Sequence, residues 1–443
     1  MVKQSSQTTN LVGQTNQTQG SFEIELPSQD RPHCCGQAKW WKLLPITVLK
    51  VAGIMLIMPT LTNVKTRFFK GDTARAALVQ SIVDSSRAAS TIMVTVQLGK
   101  LSDTVGRRPM LITSVLCTAL PLVCLATFPD DLWYYFVTFA LAGLLGGQSS
   151  PASTAYIADC TPESARARAF GLQGAVISAI VMVLPGVSAL IEKHFGQQAL
   201  SITAVVVEAL ALCAAFLLPE SLPKENRKPF LASIGCRPLV KTVQQLFLRR
   251  GSLLWDLAIL KFLNGMTRGI PSFFAYRQLL HLTDADFSVL LSVHGLCGIL
   301  VQAIVLKLFL RQGCSHMTMI LFSFVVDFVC SAGKSCFEMF PSKLFLFTLV
   351  PIECLSGVFV PSFSALVTKG VDADKGFVLA AFSTVDEITA IISPLVMAAV
   401  YQTSPVAPFC LSAFVSLACI AWGWMLRSRI ARANTDDAGS SNP

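Results

Sequence analysis

With 443 residues, 53% of them hydrophobic and 14% charged, and a mean hydropathy of +0.59, the chain is too apolar and too poor in charge for a soluble globular protein. Composition points to an integral membrane protein. The net charge of +9 needs no nucleic acid to explain it, because basic residues beside a bilayer collect on the cytoplasmic side.

In chain order, residues 1–39 are rich in Gln, Ser, Thr and Asn and read as a disordered cytoplasmic tail. No short apolar run follows a basic start there, so no signal peptide is expected. Apolar segments of roughly 18 to 25 residues then recur, each long enough to cross a hydrocarbon core of about 30 Å as a helix. Spans are predicted at 43–63, 77–99, 109–127, 132–156, 169–191 and 198–218, and again at 253–275, 286–309, 315–333, 343–367, 377–400 and 407–426. The polar segment 219–252 divides them six and six. The expectation is an all-α membrane protein with twelve transmembrane helices as two six-helix bundles, 40–218 and 253–427, joined by a cytoplasmic linker at 219–252. A second disordered cytoplasmic tail follows at 428–443. The bias of basic residues places both termini inside, although Lys65, Arg67, Lys70 and Arg75 after the first span break the pattern.

Charges within spans are costly unless they meet a partner, a wet cavity or the headgroups. The first half holds Lys50, Asp84, Arg87 and Glu208. Asp84 and Arg87 lie three residues apart, so either an internal ion pair or a shared cavity face is expected. Lys50 either snorkels toward the surface or faces a cavity. The second half holds Asp256, Lys261, Arg268, Asp327, Glu353, Asp386 and Glu387. Glu353 has no local basic partner in its span. Asp386 and Glu387 are adjacent and point about 100° apart, so one can line a cavity while the other pairs with Arg268 or Lys261. A buried carboxylate without a full charge partner can alternate between protonated and ionised forms, which makes Glu353, Asp386 and Glu387 the proton-coupling candidates. Candidate cavity residues are Lys50, Gln80, Asp84, Arg87, Gln148, Asn264 and Arg268, with interhelical hydrogen bonding the ordinary alternative for the amides.

The fourteen cysteines show no zinc or redox spacing and the five histidines are dispersed, so no catalytic residue, metal or cofactor is expected. Neither a Walker loop nor a nucleotide-binding domain is visible, which disfavours ATP-driven transport.

One short stretch between the second and third spans is distinctive: Gly99-Lys-Leu-Ser-Asp103-Thr-Val-Gly106-Arg107-Arg108-Pro. It resembles the signature loop of the major facilitator superfamily, departing only at Thr104, where a basic residue is usual. Ala155-Tyr156-Ile157-Ala158-Asp159 through Arg166, Arg168 and Gly171 is similar to tetracycline-exporter-like and hippocampus-abundant-transcript-like members. Pro219-Glu-Ser-Leu-Pro223 and the run from Phe359 to Gly376 resemble the latter group. The resemblance implies a gating role for Gly99, Asp103, Gly106, Arg107, Arg108, Asp159 and Arg166, with Asp103 meeting the start of the eleventh helix. The fourth span lacks the arginine of many drug:proton antiporters, and the fifth lacks most of their Gly-Pro pattern; both count against an antiporter.

The expected activity is secondary active transport of a small organic solute by alternating access, coupled to protons, in a protein that works as a monomer in the bilayer. The alternative is a non-transporting solute sensor or trafficking component with a transporter fold.

Overall fold

The computed structural model describes residues 39–145, 151–161, 163–222, 225, 227, 253–269, 271–369 and 375–440, and every regular element among them is helical. In the first half these are α1 (Leu44–Phe68), entered through a 3-10 turn at Trp40–Leu43, α2 (Thr73–Val105), α3 (Arg107–Thr127), α4 (Trp133–Leu141), α5 (Pro151–Cys160) and α6 (Glu163–Leu217). The second half contributes α7 (Leu253–Met266), α8 (Ser272–Leu280), α9 (Asp284–Leu300), α10 (Leu306–Arg311), α11 (His316–Ser335), α12 (Lys343–Cys354), α13 (Phe359–Lys369), α14 (Lys375–Tyr401) and α15 (Ala407–Ser440). A π-helical turn at Val301–Val305 joins α9 to α10, and a 3-10 turn at Leu355–Val358 joins α12 to α13.

Local chemistry starts several of these helices. The Asp72 carboxylate accepts from the Arg75 amide at 2.9 Å to cap α2, and Thr283 with Asp286 forms a reciprocal capping box at the start of α9. Ser315 and Ser342 cap α11 and α12 in the same manner.

The protein is a multi-pass membrane protein. Among the described residues, eight helical stretches are long and apolar enough to cross a membrane. One of them, Leu172–Leu217, has 46 residues; at a rise of 1.5 Å it would reach about 69 Å, roughly twice the hydrocarbon thickness. It is broken at Gly196, whose φ of 81° and ψ of 171° are non-helical. The packing fits lipid as solvent: Leu217 is 85% exposed and Phe195 74%, whereas Ser188 is fully buried. Large apolar side chains occur on both sides, some facing outward and others such as Phe136 and Phe337 filling helix contacts, while small or hydroxyl-bearing ones such as Ser188 allow close approach.

Four boundaries differ from expectation. The first span continues to Phe68, so Lys65 lies on α1 and not in a loop. The fourth is divided into α4, a 3-10 turn at Ala142–Leu145 and α5, and the seventh is interrupted between Met266 and Ser272. At the carboxyl end, α15 extends to Ser440 where a tail was expected from 428. Arg and Ala between Arg427 and Ala433 favour its continuation and no proline interrupts it before Ser440. The amino-terminal tail and most of the 219–252 linker lie outside the described residues.

Helix α6 packs along α1 and α9, α2 along α14, and α11 along α15. The sequence halves therefore meet through α6 with α9 and through α2 with α14. Gly295 of α9 allows one of these contacts, since a Cβ there would lie 2.6 Å from the Met182 backbone nitrogen.

Candidate solute cavity and its flanking locks

A cavity of about 940 Å³ lies between helices from both halves. Its first-half wall carries Met58, Thr62 and Lys65 from α1, and Gln80, Asp84 and Arg87 from α2. Thr118 of α3 and Tyr135 and Phe139 of α4 extend this wall. Each of the first two sets is spaced four and then three residues, or close to it, so each forms a single helical face. Arg268, Ser272 and Phe273 form the opposing wall with Asp386, Glu387, Thr389 and Ser393 of α14.

Polar geometry divides the charges into paired and unpaired groups. Asp386 meets Lys261 Nζ at 3.1 Å and Arg268 Nη1 at 3.8 Å. Lys261 is buried behind it, beneath the rings of Phe359 and Phe363. Among the described residues, Glu387 lines the cavity with no ion pair within 4 Å, as do Asp84 and Arg87, so of the two alternatives for α2 the shared cavity face is formed and the internal pair is not. The three-residue offset is compatible with such a pair, but both side chains line open space. Lys65, 4% exposed, donates to Gln80 Oε1 at 2.5 Å and lies 5.2 Å from the Tyr135 ring. The Arg87 guanidinium stands 5.3 Å from the Phe139 ring, and its buried Nε has no hydrogen-bond partner.

The remaining sequence candidates fall elsewhere. Lys50 lines a separate cavity of about 300 Å³ and donates to Ser114 Oγ at 2.6 Å. It lies on nearly the same face of α1 as Leu61 but fifteen residues before Lys65, about 22 Å lower along the helix, and there it meets α3 and not the larger space. Asn264 is buried and absent from the larger cavity's lining, and Gln148 lies outside the described residues. Glu353 does have a basic partner, because Lys334 of α11 reaches it at 2.6 Å. No scan of its own span could show this, since Lys334 sits on another helix and reads as a loop residue in the sequence. Lys65 was also missed, although the Met58, Thr62, Lys65 spacing carries its signal.

At one end of the cavity, the halves are tied by side chains. Asn63 of α1 donates to Asp284 Oδ2 at 2.7 Å and accepts from Arg277 Nη2 at 2.8 Å, while Arg277 and Asp284 pair at 3.1 Å. Thr73 and Tyr401 both donate to Gln278 Oε1, at 3.0 and 2.7 Å, and Gln402 donates to the Ala74 carbonyl at 2.7 Å.

The loop between α2 and α3 forms a second network at the opposite end. Gly106 has φ 118°, a conformation that favours glycine, and turns the chain sharply into α3. Arg107 Nε donates to Asp159 Oδ2 at 3.0 Å and Nη1 to Ser102 Oγ at 2.9 Å. Glu220 then accepts from the backbone amides of Arg107 at 2.8 Å and Arg108 at 3.2 Å, the first free donors of α3. Its carboxylate also faces Arg227 at 3.7 Å, while Ser221 Oγ donates to Asp159 at 3.1 Å and Arg108 donates to the Phe216 carbonyl. Sequence reasoning singled out Arg107, Arg108 and Asp159 but missed Glu220, which entered only within a resemblance motif. Gly99 lies on α2; the side chains of Asp103 and Arg166 lie outside the described residues, as does the segment before α14 that Asp103 was expected to meet.

Comparison with known proteins gives a consistent family. A model described as Major Facilitator Superfamily matches residues 43–385. Hippocampus abundant transcript 1 protein from Homo sapiens is 26% identical over 329 residues, covering 72% of this chain and 64% of that protein. The chain thus matches less than two thirds of that relative's length. Tetracycline resistance protein, class H, from Pasteurella multocida is 27% identical over 374 residues, covering 82% of this chain and 88% of that protein. Among solved structures, the human organic anion transporter MFSD10 (TETRAN) has a TM-score of 0.64 at 17% identity, covering 89% of this chain and 100% of that one. A D-xylose-proton symporter gives 0.66 at 13%, covering 87% and 96%. At such identities these structures speak for the fold alone.

Proposed function

The chain belongs to the Major Facilitator Superfamily, and from that premise we propose that it is a secondary active transporter of a small organic solute, working as a monomer by alternating access. The observation that carries this reading is the cavity of about 940 Å³ walled by both sequence halves, with the halves tied at one end through Asn63, Arg277 and Asp284. A solute held there gains access to one side when those ties break and to the other when they form. The proposed architecture has twelve spans in two six-helix bundles, 40–218 and 253–427, with both termini and the 219–252 linker cytoplasmic. Support comes from the break at Gly196 and from the polar α2, which falls outside the eight most apolar stretches.

The network around Gly106, Arg107, Arg108 and Asp159 is proposed as the gate at the cytoplasmic end, together with Gly99, Asp103 and Arg166. Proton coupling is proposed through Glu387, Asp386 or Glu353. Glu387 is the best placed, because it lines the cavity without an ion pair among the described residues, whereas a lysine faces each of the others. The MFSD10 relative is described as an organic anion transporter and the D-xylose carrier as a proton symporter, and both properties fit this reading.

The test is uptake of a solute panel into proteoliposomes with pH and voltage gradients imposed independently. Transport accelerated by an inward proton gradient is expected, with that acceleration lost in Glu387→Gln. Absence of flux for every solute, with ligand binding retained, would favour a sensor.

A further inference from the structure

We propose that the α1/α2 wall of the cavity is a binding site for a small organic monoanion, held by the Arg87 guanidinium and the Lys65 ammonium. The inference rests on the cavity being the solute path and goes further, to the charge of the solute.

Two observations carry it. First, the direct contacts of both cations are neutral, with Asp84 and Glu387 acting on them from beyond ion-pair distance. Lys65, nearly fully buried, is held by the Gln80 amide oxygen and the face of Tyr135, which leaves ammonium donors for a ligand. Arg87 stacks on Phe139 and has an unused, buried Nε–H. A buried donor without an acceptor is costly, and a bound carboxylate or phosphate oxygen would satisfy it.

Second, the charges around the cavity do not cancel. The charged side chains that line the space balance, three of each sign, but Lys261 stands behind Asp386 and adds one positive charge. Lys261 and Arg268 therefore offset Asp386 and Glu387 on the second-half wall, while Lys65 and Arg87 face Asp84 alone on the other. With Glu387 counted beside Asp386, the second-half wall is neutral and the one positive charge left over falls on the α1/α2 wall. In a space with low-dielectric walls, one negative charge on the ligand brings the site to neutrality, and a cationic ligand takes it further away. Asp84 lies one turn before Arg87 on the same face and therefore limits the charge the site accepts. Met58, Phe139 and Phe273 offer apolar surface for the body of such a ligand.

The probe is naphthoate, with naphthamide and naphthylmethylamine as its neutral and cationic counterparts. Binding is read as thermal stabilisation of the full chain in lipid nanodiscs. Naphthoate is expected to stabilise the protein more than either counterpart. Arg87→Gln should weaken its apparent affinity by about tenfold or more, with Arg87→Lys intermediate. Asp84→Asn should tighten it, because the substitution removes a repelling charge. This sign guards against misfolding, since a damaged protein would not bind more tightly.

Stronger stabilisation by naphthylmethylamine, no stabilisation by naphthoate, or weaker naphthoate binding in Asp84→Asn each overturns the proposal. The measurement needs no flux. Naphthoate binding without uptake of any solute therefore removes the transport reading and leaves the anion site, whereas uptake of a solute without naphthoate binding does the reverse.

Discussion

Glu220 joins the segment after α6 to the start of α3, and its removal should loosen that junction by a calculable amount. Its carboxylate accepts from the Arg107 and Arg108 amides at 2.8 and 3.2 Å and also from the Ser221 and Leu222 amides at 3.1 and 3.2 Å. A helix cap contributes about 1 kcal/mol, and a hydrogen bond to a charged group about 1.5 to 3. Counting only the two bonds to α3 and discounting the longer one, Glu220→Ala costs about 2 kcal/mol locally. At 1.36 kcal/mol per decade, opening of the junction becomes about thirtyfold more frequent. Hydrogen–deuterium exchange of the peptide spanning residues 105–112, in nanodiscs, reads this directly. Glu220→Gln retains an acceptor and should fall between the two, while exposed Glu225→Ala should leave the peptide unchanged. Exchange within about threefold of the parent in Glu220→Ala would mean that the carboxylate does not hold this helix start.

Glycine requirements should differ between two turns with positive φ. Gly106→Ala places a Cβ against the Glu220 carboxylate at φ 118° and should cost about 1 to 3 kcal/mol, whereas Gly71→Ala, at φ 89° with open space around it, should cost about 1; thermal unfolding compares them. Breaking the tie between the halves with Asn63→Ala should lengthen the distance between spin labels at Asp131 and Met339, read by electron–electron resonance in a cysteine-free background. An unchanged distance distribution would show that Asn63 does not bias the opening. Lys334→Met should destabilise by about 2 to 3 kcal/mol, less than a fully buried pair because the Glu353 side chain is 35% exposed. Adding Glu353→Leu should restore most of that loss, so losses that simply add would argue against coupling of the pair.

Sequence alone determined the membrane class and the family. Both are written in local features: apolar run length, and the spacing of Gly99, Asp103, Gly106 and Arg107 within a single loop. It also placed Gln80, Asp84, Arg87, Arg268, Asp386 and Glu387 among the functional candidates, because an ionisable or amide group in an apolar span is conspicuous wherever it points. Tertiary structure alone decided which of these meet. Asp84 and Arg87 are near neighbours in sequence and do not pair; Asn63 and Asp284, 221 residues apart, do.

Lys50 and Lys65 lie on the same helix and line different cavities, a separation set by their height along α1, about 22 Å apart, and by which neighbouring helices close the space at each level. In lipid, apolar faces turned toward the bilayer and toward another helix have similar composition, so hydropathy fixes that a segment crosses the membrane without fixing its rotation. Rotation comes from packing among distant helices, and with it the cavity, the pairing of Glu353 with Lys334, and the capping of α3 by Glu220.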